Sequence, residues 1–367
     1  MTFYDIKQKY NKFNFKKYIK SVSCKMIEDS IHKEILNEFD LLNLLSPKAL
    51  IYINEIAKKA HEISIRHFGK CILLYAPLYV SNFCTNNCVY CGFSIKNKIK
   101  RNVLSFDEID KNCKIISNYG IHHILLVTGE SNIKTPLNYL KKCIEILKNY
   151  FEDINVEIYP LNEYEYETLA NCGVDGLTIY QETYDENIYK ILHTKGKKSN
   201  YRYRLETCER AGEKYRNLNI GALLGLNDFI TDVFFVGIHA KYLQTKFKST
   251  EIGVSFPRIR PTTGIYNPKI LITDENLVQA ICSIRLFINR ININISTRES
   301  KKLRNNLIQL GVTKMSAASR TDVGGYAKKQ SKHDGQFEVN DTSTVNKVKE
   351  MIYKNGYQPI MKDWILL

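Results

Sequence analysis

The sequence predicts an α/β fold, a (β/α)8 barrel of the TIM type with an N-terminal helical extension and a C-terminal cap. Three observations carry that expectation. Eight short runs of apolar and β-branched residues recur between residues 72 and 319, amphipathic stretches of helical period lie between them, and no linker or low-complexity block divides the 367 residues. An open parallel sheet in two domains is the competing reading, and the missing linker argues against it. The boundaries follow as 1–70 for the extension, 71–325 for the barrel and 326–367 for the cap.

The elements can be justified in order. In "IEDSIHKEILNEFDLLNLLS" apolar residues recur at three and four spacing, and Ser46 before Pro47 reads as the N-cap of a second helix that stops at Gly69. The strand expectations are 72–80, 122–130, 155–161, 176–184, 219–226, 252–260, 291–297 and 313–319, with helical patterns such as "SFDEIDKNCKIISNYG" and "PLNYLKKCIEILKNYF" between. In such a barrel the site forms at the carboxyl ends of the strands. Polar groups crowd those ends: Cys84 to Cys91, Gly129 and Glu130, Gln181 and Glu182, Arg258 and Arg260, Thr297 to Glu299, then Ser316, Ser319 and Arg320. So many on one face predict a site there.

Composition narrows the class. Lys and Arg exceed Asp and Glu by 53 to 38, a net charge of +15, but the excess is Lys dispersed among Asn and Ile. A basic RNA-binding barrel would gather those charges on one face, so no nucleic-acid partner is expected. No apolar run approaches the length of a membrane span, and residues 1–23 lack an apolar signal core, so the expectation is a cytoplasmic protein with no membrane partner. Of the ten cysteines, Cys24, Cys113, Cys143, Cys172, Cys208 and Cys282 are dispersed and read as reduced packing residues.

"CTNNCVYC" is different, because Cys84, Cys88 and Cys91 fall within eight positions. A structural zinc site wants four closed ligands, and the nearest fourth would be His67 or Cys71. An iron–sulfur cluster also takes four thiolates by default. Three suffice if one iron is meant to stay open.

Cys-x-x-x-Cys-x-aromatic-Cys after a first barrel strand resembles the radical S-adenosylmethionine (SAM) enzymes. The resemblance implies a [4Fe–4S] cluster held by Cys84, Cys88 and Cys91, with SAM on the fourth iron and Tyr90 near SAM or substrate. "VTGE" is similar to the family's second-strand motif, which would put Gly129 and Glu130 at the SAM amino group, although Thr128 stands where Gly is commoner. "GALLGLND" resembles the fifth-strand stretch beside the adenine, with Gly225 in it and Asp228 in place of Glu. Glu157 and Arg204 are read as contacts to the SAM carboxylate or ribose, or else as members of ion pairs.

"PLYVSNFCTNNCVYCGFS", "YQETY", "RLET", "VSFPRIRP", "STRES", "GGYA" and "GYQPIMKDW" together resemble the 2-iminoacetate synthases, the tyrosine lyases of thiazole biosynthesis. The likeness runs from about residue 40 onward. It implies cleavage of the Cα–Cβ bond of L-tyrosine to 2-iminoacetate (dehydroglycine) and p-cresol, with work beside thiazole synthase (ThiG) and an electron donor such as flavodoxin. A bound α-carboxylate calls for a bidentate cation, and the resemblance, in which related aromatic amino acid lyases carry such an Arg on a late strand, implies Arg298, with Arg258 and Arg260 in reserve. Ser316 or Ser319 would hydrogen-bond near the amine or carboxylate, with Tyr90 adjacent. The tyrosine lyase of hydrogenase maturation is the nearest rival; it carries a C-terminal cysteine motif, whereas Cys282 is the last cysteine here.

Overall fold

Eight parallel strands close into a barrel in the computed structural model, which describes residues 1–262, 266, 268, 270–328 and 335–361. They are β1 (Cys71–Ser81), β2 (His123–Thr128), β3 (Asp153–Glu157), β4 (Gly176–Glu182), β5 (Asn217–Ala222), β6 (Glu251–Ser255), β7 (Asn292–Ile295) and β8 (Lys314–Ser316). Each overlaps one predicted run, with β1, β3, β5 and β6 starting one or two residues earlier than expected, and β1 closes the ring by pairing with β8 on one edge and β2 on the other. The expected barrel is therefore present. Most strands stop short of the predicted carboxyl ends, because those residues have already turned into the loops that build the upper face.

Alternation along the strands explains which way each face looks. On β1, Ile72, Leu74, Ala76, Leu78 and Val80 are fully buried against the helical ring, while Tyr75, Pro77 and Tyr79 face the barrel interior. The other strands repeat the pattern with more polar inward residues: Asn155, Thr178, Asn219, Asn292 and Asn294 line a lower chamber of about 450 Å³. Barrels of this type usually fill that space with branched aliphatic side chains. Here the main apolar core is the layer between sheet and helices, and the lower inside is rich in amide and hydroxyl groups.

The N-terminal extension is helical, with two departures from expectation. The first predicted helix is two, Cys24–His32 and Glu38–Leu45, because Asn37 caps the second through Phe39 N and Asp40 N. The second begins as a 3₁₀ turn over Pro47–Tyr52 and becomes α-helical only from Ile53 to Phe68, ending at Gly69. Further upstream, Phe3 is fully buried and stacks on His239 at 3.9 Å.

The C-terminal segment reaches both ends of the barrel. Gln336 lies over the upper face, its amide donating to Thr321 O and its carbonyl accepting from Gly92 N. Helix Val345–Lys354 then leads down to a ninth strand, β9 (Gln358–Ile360), that the sequence did not announce. It pairs in parallel with Cys71–Leu73 at the foot of β1, below β2. The "GYQPIMKDW" motif supplies that strand, and its residues 362–364 lie outside the described residues. No helix among the described residues is long and apolar enough to cross a membrane.

Candidate active site

The cysteine loop leaves the top of β1 and is anchored by backbone rather than by its thiols. Thr85 N donates to Glu130 O, Asn87 N to Lys195 O, Val89 N to Leu192 O and Gly92 N to Gln336 O. Arg101 gathers four carbonyls, among them Asn82 O at 2.6 Å and Phe93 O at 2.8 Å. Gly129 is what lets the loop sit down: a Cβ there would meet Phe83 O at 2.3 Å, one residue before Cys84. The glycine of "VTGE" thus admits the backbone of the cysteine loop.

All three thiols are free. Burial, then the neighbouring Cys84, pushes Cys91 up to about 11, and Cys84 and Cys88 are also raised, chiefly by burial. Asn86 Nδ2 lies 3.6 Å from Cys84 Sγ and Gln336 Nε2 3.9 Å from Cys91 Sγ, so amide donors face two of the sulfurs. The once-nearest fourth ligands are out of reach. Cys71 opens β1 at the foot of the barrel, about 33 Å of strand from Ser81, and His67 ends the helix before it. Among the described residues no group of three or more Cys, His, Asp and Glu side chains is placed to hold a single metal ion. Three thiols on one loop with no reachable fourth fit a polynuclear cluster with an open iron better than closed tetrahedral zinc.

Beside this loop lies a network of enclosed charges. Arg204 donates to Glu130 Oε1 at 2.8 Å and to Tyr180 O, and its other nitrogen is 3.6 Å from Glu182. Lys198 reaches Glu182 Oε1 at 2.6 Å, and Asn86 Nδ2 reaches Glu130 Oε2 at 2.7 Å. Burial alone would raise Glu182, but Lys198 and Arg204 hold it below the ordinary carboxylate range. Glu182 also has φ +72° where β4 slips register against β5, a strained backbone at the rim of the site. Of these groups the sequence reading placed Glu130, Arg204 and Glu182 at the site and missed Lys198 and Asn86. Lys198 has no signal that separates it from the many other lysines.

Tyr90 packs in a cluster with Cys88, Leu192, Leu223 and Leu226. Its hydroxyl lies 2.7 Å from His193 Nε2, while His193 Nδ1 lies 2.8 Å from Tyr189 O. A carbonyl only accepts, so Nδ1 carries the hydrogen and Nε2 accepts from Tyr90. Burial and Lys198 push His193 down to about 3, which keeps it neutral. Gly225, with φ +105°, turns the chain after β5 beside this cluster. Asp228 is exposed and caps helix Phe229–Lys246 through Thr231 N at 3.0 Å.

The barrel mouth itself holds a cavity with about 680 Å³ of empty space, open solvent included, of which about 60 Å³ admits the centre of a water-sized sphere. Arg298, Ser316 and Ser319 line it, as do Glu157, Tyr75, Tyr79, Tyr180 and Gln336. Ser319 Oγ is 3.0 Å from Ser316 Oγ, which accepts from Thr297 N. The Arg298 guanidinium lies 3.3 Å from the centroid of the Phe337 ring. Arg258, by contrast, is committed to Glu299 and Asp274, and is no longer free to receive a ligand. Tyr90 is not part of the cavity wall, and Glu157 faces the cavity rather than joining the ion network. Gln336 escaped the sequence reading: its Oε1 accepts from Tyr79 OH at 2.8 Å, so it ties the cysteine loop to the cavity.

Residues 78–233 match the Radical SAM superfamily and residues 255–358 the Biotin and Thiamin Synthesis associated domain. The 2-iminoacetate synthases of Salmonella typhimurium and Escherichia coli are each 38% identical over 340 residues, covering 92% of this chain and 90% of theirs. The X-ray structure of the FeFe-hydrogenase maturase HydG from Carboxydothermus hydrogenoformans superposes with a TM-score of 0.85 at 32% identity, over 98% of this chain and 82% of that one.

Proposed function

The chain belongs to the 2-iminoacetate synthase family of radical SAM enzymes, and from that premise we propose how its own residues carry the family's reaction. That reaction cleaves the Cα–Cβ bond of L-tyrosine to 2-iminoacetate and p-cresol, with SAM converted to 5′-deoxyadenosine and methionine, and it supplies the thiazole moiety of thiamine. The observation that carries the assignment of residues is the juxtaposition just described: three thiols on one loop, and beside them a cavity holding a guanidinium and paired serine hydroxyls.

SAM and an iron–sulfur cluster are the cofactors of the superfamily. Cys84, Cys88 and Cys91 would hold a [4Fe–4S] cluster, which when bound supplies one electron to SAM and so generates a deoxyadenosyl radical. Loading it requires the raised thiols to lose their protons, so assembly is favoured by higher pH. Glu130 and Gly129 are assigned to the SAM amino group, Arg204 to its carboxylate or ribose, and Gly225 to the adenine side. Arg298 receives the tyrosine carboxylate, and Ser316 with Ser319 supplies hydroxyls next to it. Tyr90 braces the loop through His193 and packs Cys88 in place. The roof at Gln336 and Phe337 excludes water, which matters because the imine product hydrolyses.

Thiazole synthase (ThiG) would take that product, and a flavodoxin-type donor would deliver the electron. The test is anaerobic: protein reconstituted with iron and sulfide is given SAM, reductant and L-tyrosine, and p-cresol and 5′-deoxyadenosine are separated by chromatography. Both appear if the reading holds. Deoxyadenosine without p-cresol removes tyrosine as the substrate.

A further inference from the structure

Two groups of opposite charge type, Glu157 and Arg298, line the cavity without an ion pair among the described residues. Glu157 ends β3 and Arg298 follows β7, and these strands stand four places apart in a ring of eight, on opposite sides of the barrel. Arg298 makes only a 3.5 Å contact to Arg258 O and its stack on Phe337, and no carboxylate among the described residues pairs with it. Glu157 likewise has no hydrogen bond or ion pair among the described residues. The other acids close by are already answered: Glu130 and Glu182 by Arg204 and Lys198, Glu299 by Arg258. Leaving an enclosed charge without a partner is costly, and two of opposite sign sharing one wall of solvent call for a ligand that bears both.

An α-amino acid bears an ammonium and a carboxylate on one carbon. We propose that Glu157 and Arg298 form a two-ended receptor for that group, Glu157 taking the ammonium of the substrate and Arg298 its carboxylate. This rests on the reading of the cavity as the tyrosine site, and it gives Glu157 to the substrate instead of to SAM. Burial and then Glu182 push Glu157 up to about 7, and Arg298 is the foremost cation opposing them, ahead of Lys198 and Arg204; an ammonium beside it would draw out the charged form. Selectivity follows: an aryl acid without the amine loses one of the two ends, and a buried carboxylate left unmatched penalises it further.

The experiment uses cluster-loaded protein under anaerobic conditions and measures dissociation constants for L-tyrosine and for 3-(4-hydroxyphenyl)propionate, which lacks the amine. Glu157→Gln should weaken tyrosine by about tenfold or more, leave the des-amino acid unchanged, and leave SAM affinity and iron content at their original values. Glu157→Asp, which keeps the charge, should retain part of the preference for tyrosine and guards against a Gln variant that folds poorly. A Gln variant that still prefers tyrosine by the original ratio overturns the proposal. Loss of SAM affinity with the preference intact overturns it too, and returns Glu157 to the cofactor. Arg298→Ala separates the two levels of the argument: it should weaken both ligands, and if it weakens neither the cavity is not the tyrosine site.

Discussion

Around Glu182 the enclosed charges answer one another, whereas in the cavity next to it they do not. Glu130, Arg204, Glu182 and Lys198 form a chain of pairs at 2.6 to 3.6 Å with side-chain amides and a strand carbonyl filling the remaining valences. Glu157 and Arg298 stand within the same barrel mouth without such partners. A finished network holds the rim in one geometry before anything binds, and an unfinished one stores a demand that a ligand of the right charges meets. The first is architecture for the cofactor side, and the second is specificity for the substrate side.

The contrast can be broken most directly at Arg204. Arg204→Ala strips Glu130 and Glu182 of their shared cation, and about 3–5 kcal/mol of stability should go with it, read as a shift in the denaturant midpoint, together with loss of SAM binding. Arg298→Ala should behave in the opposite manner. Removing a guanidinium that no acid pairs forfeits about 1 kcal/mol of stacking on Phe337 and relieves an enclosed charge, so stability should stay nearly level while tyrosine affinity falls about 10- to 100-fold. Equal destabilisation by both variants would erase the distinction.

Gly129→Ala tests whether the loop position depends on the close approach of Phe83. The added methyl cannot fit without a shift, and a cost of about 1–3 kcal/mol is expected, accompanied by less iron retained per chain after gel filtration. The smallest effect is in pH. Glu182 is held below the usual carboxylate range, so its contribution is present above about pH 4.5 and is lost as pH falls through its lowered value. Glu157 is pushed up to about 7 by burial and by Glu182, so its ionisation costs stability progressively as pH rises from about 4.5 to about 7. Glu157→Gln should therefore gain stability relative to the parent between pH 5 and pH 8, whereas Glu182→Gln should be less stable than the parent by the same amount at both and converge on it only as pH falls below about 4.5; denaturation curves at pH 8, pH 5 and below pH 4 decide.

How much of this was legible in the sequence depends on the range of the interaction. The eight barrel strands could be read because each buries an outward apolar row against a helix, a local pattern. "ININIST" even displayed its two faces, Ile outward and Asn inward. Arg298, Ser316 and Ser319 could be placed because the ends of barrel strands converge by construction. The partners could not. Nothing near Lys198 says that it will reach Glu182, nothing in "QET" says that Glu182 will take a left-handed backbone, and Gln336 meets Tyr79 and Cys91 only after the chain has travelled round the barrel. Tyr90 was expected near SAM or substrate by its place next to Cys91, but its hydrogen-bond partner His193 lies a hundred residues on and could not be read. β9 is three residues long and has no pattern to read.

That last strand has a bearing on how the protein is made. The foot of β1 is made 287 residues before the strand that covers its edge, Cys71 pairing with Gln358. Until that strand arrives Cys71–Leu73 present unpaired amide and carbonyl groups on this side, the kind of edge on which nascent chains aggregate. Few contacts in the fold span more of the chain, so this seam should close late and slowly. The foot of β1 is thus the stretch of the barrel that waits longest in sequence for its partner.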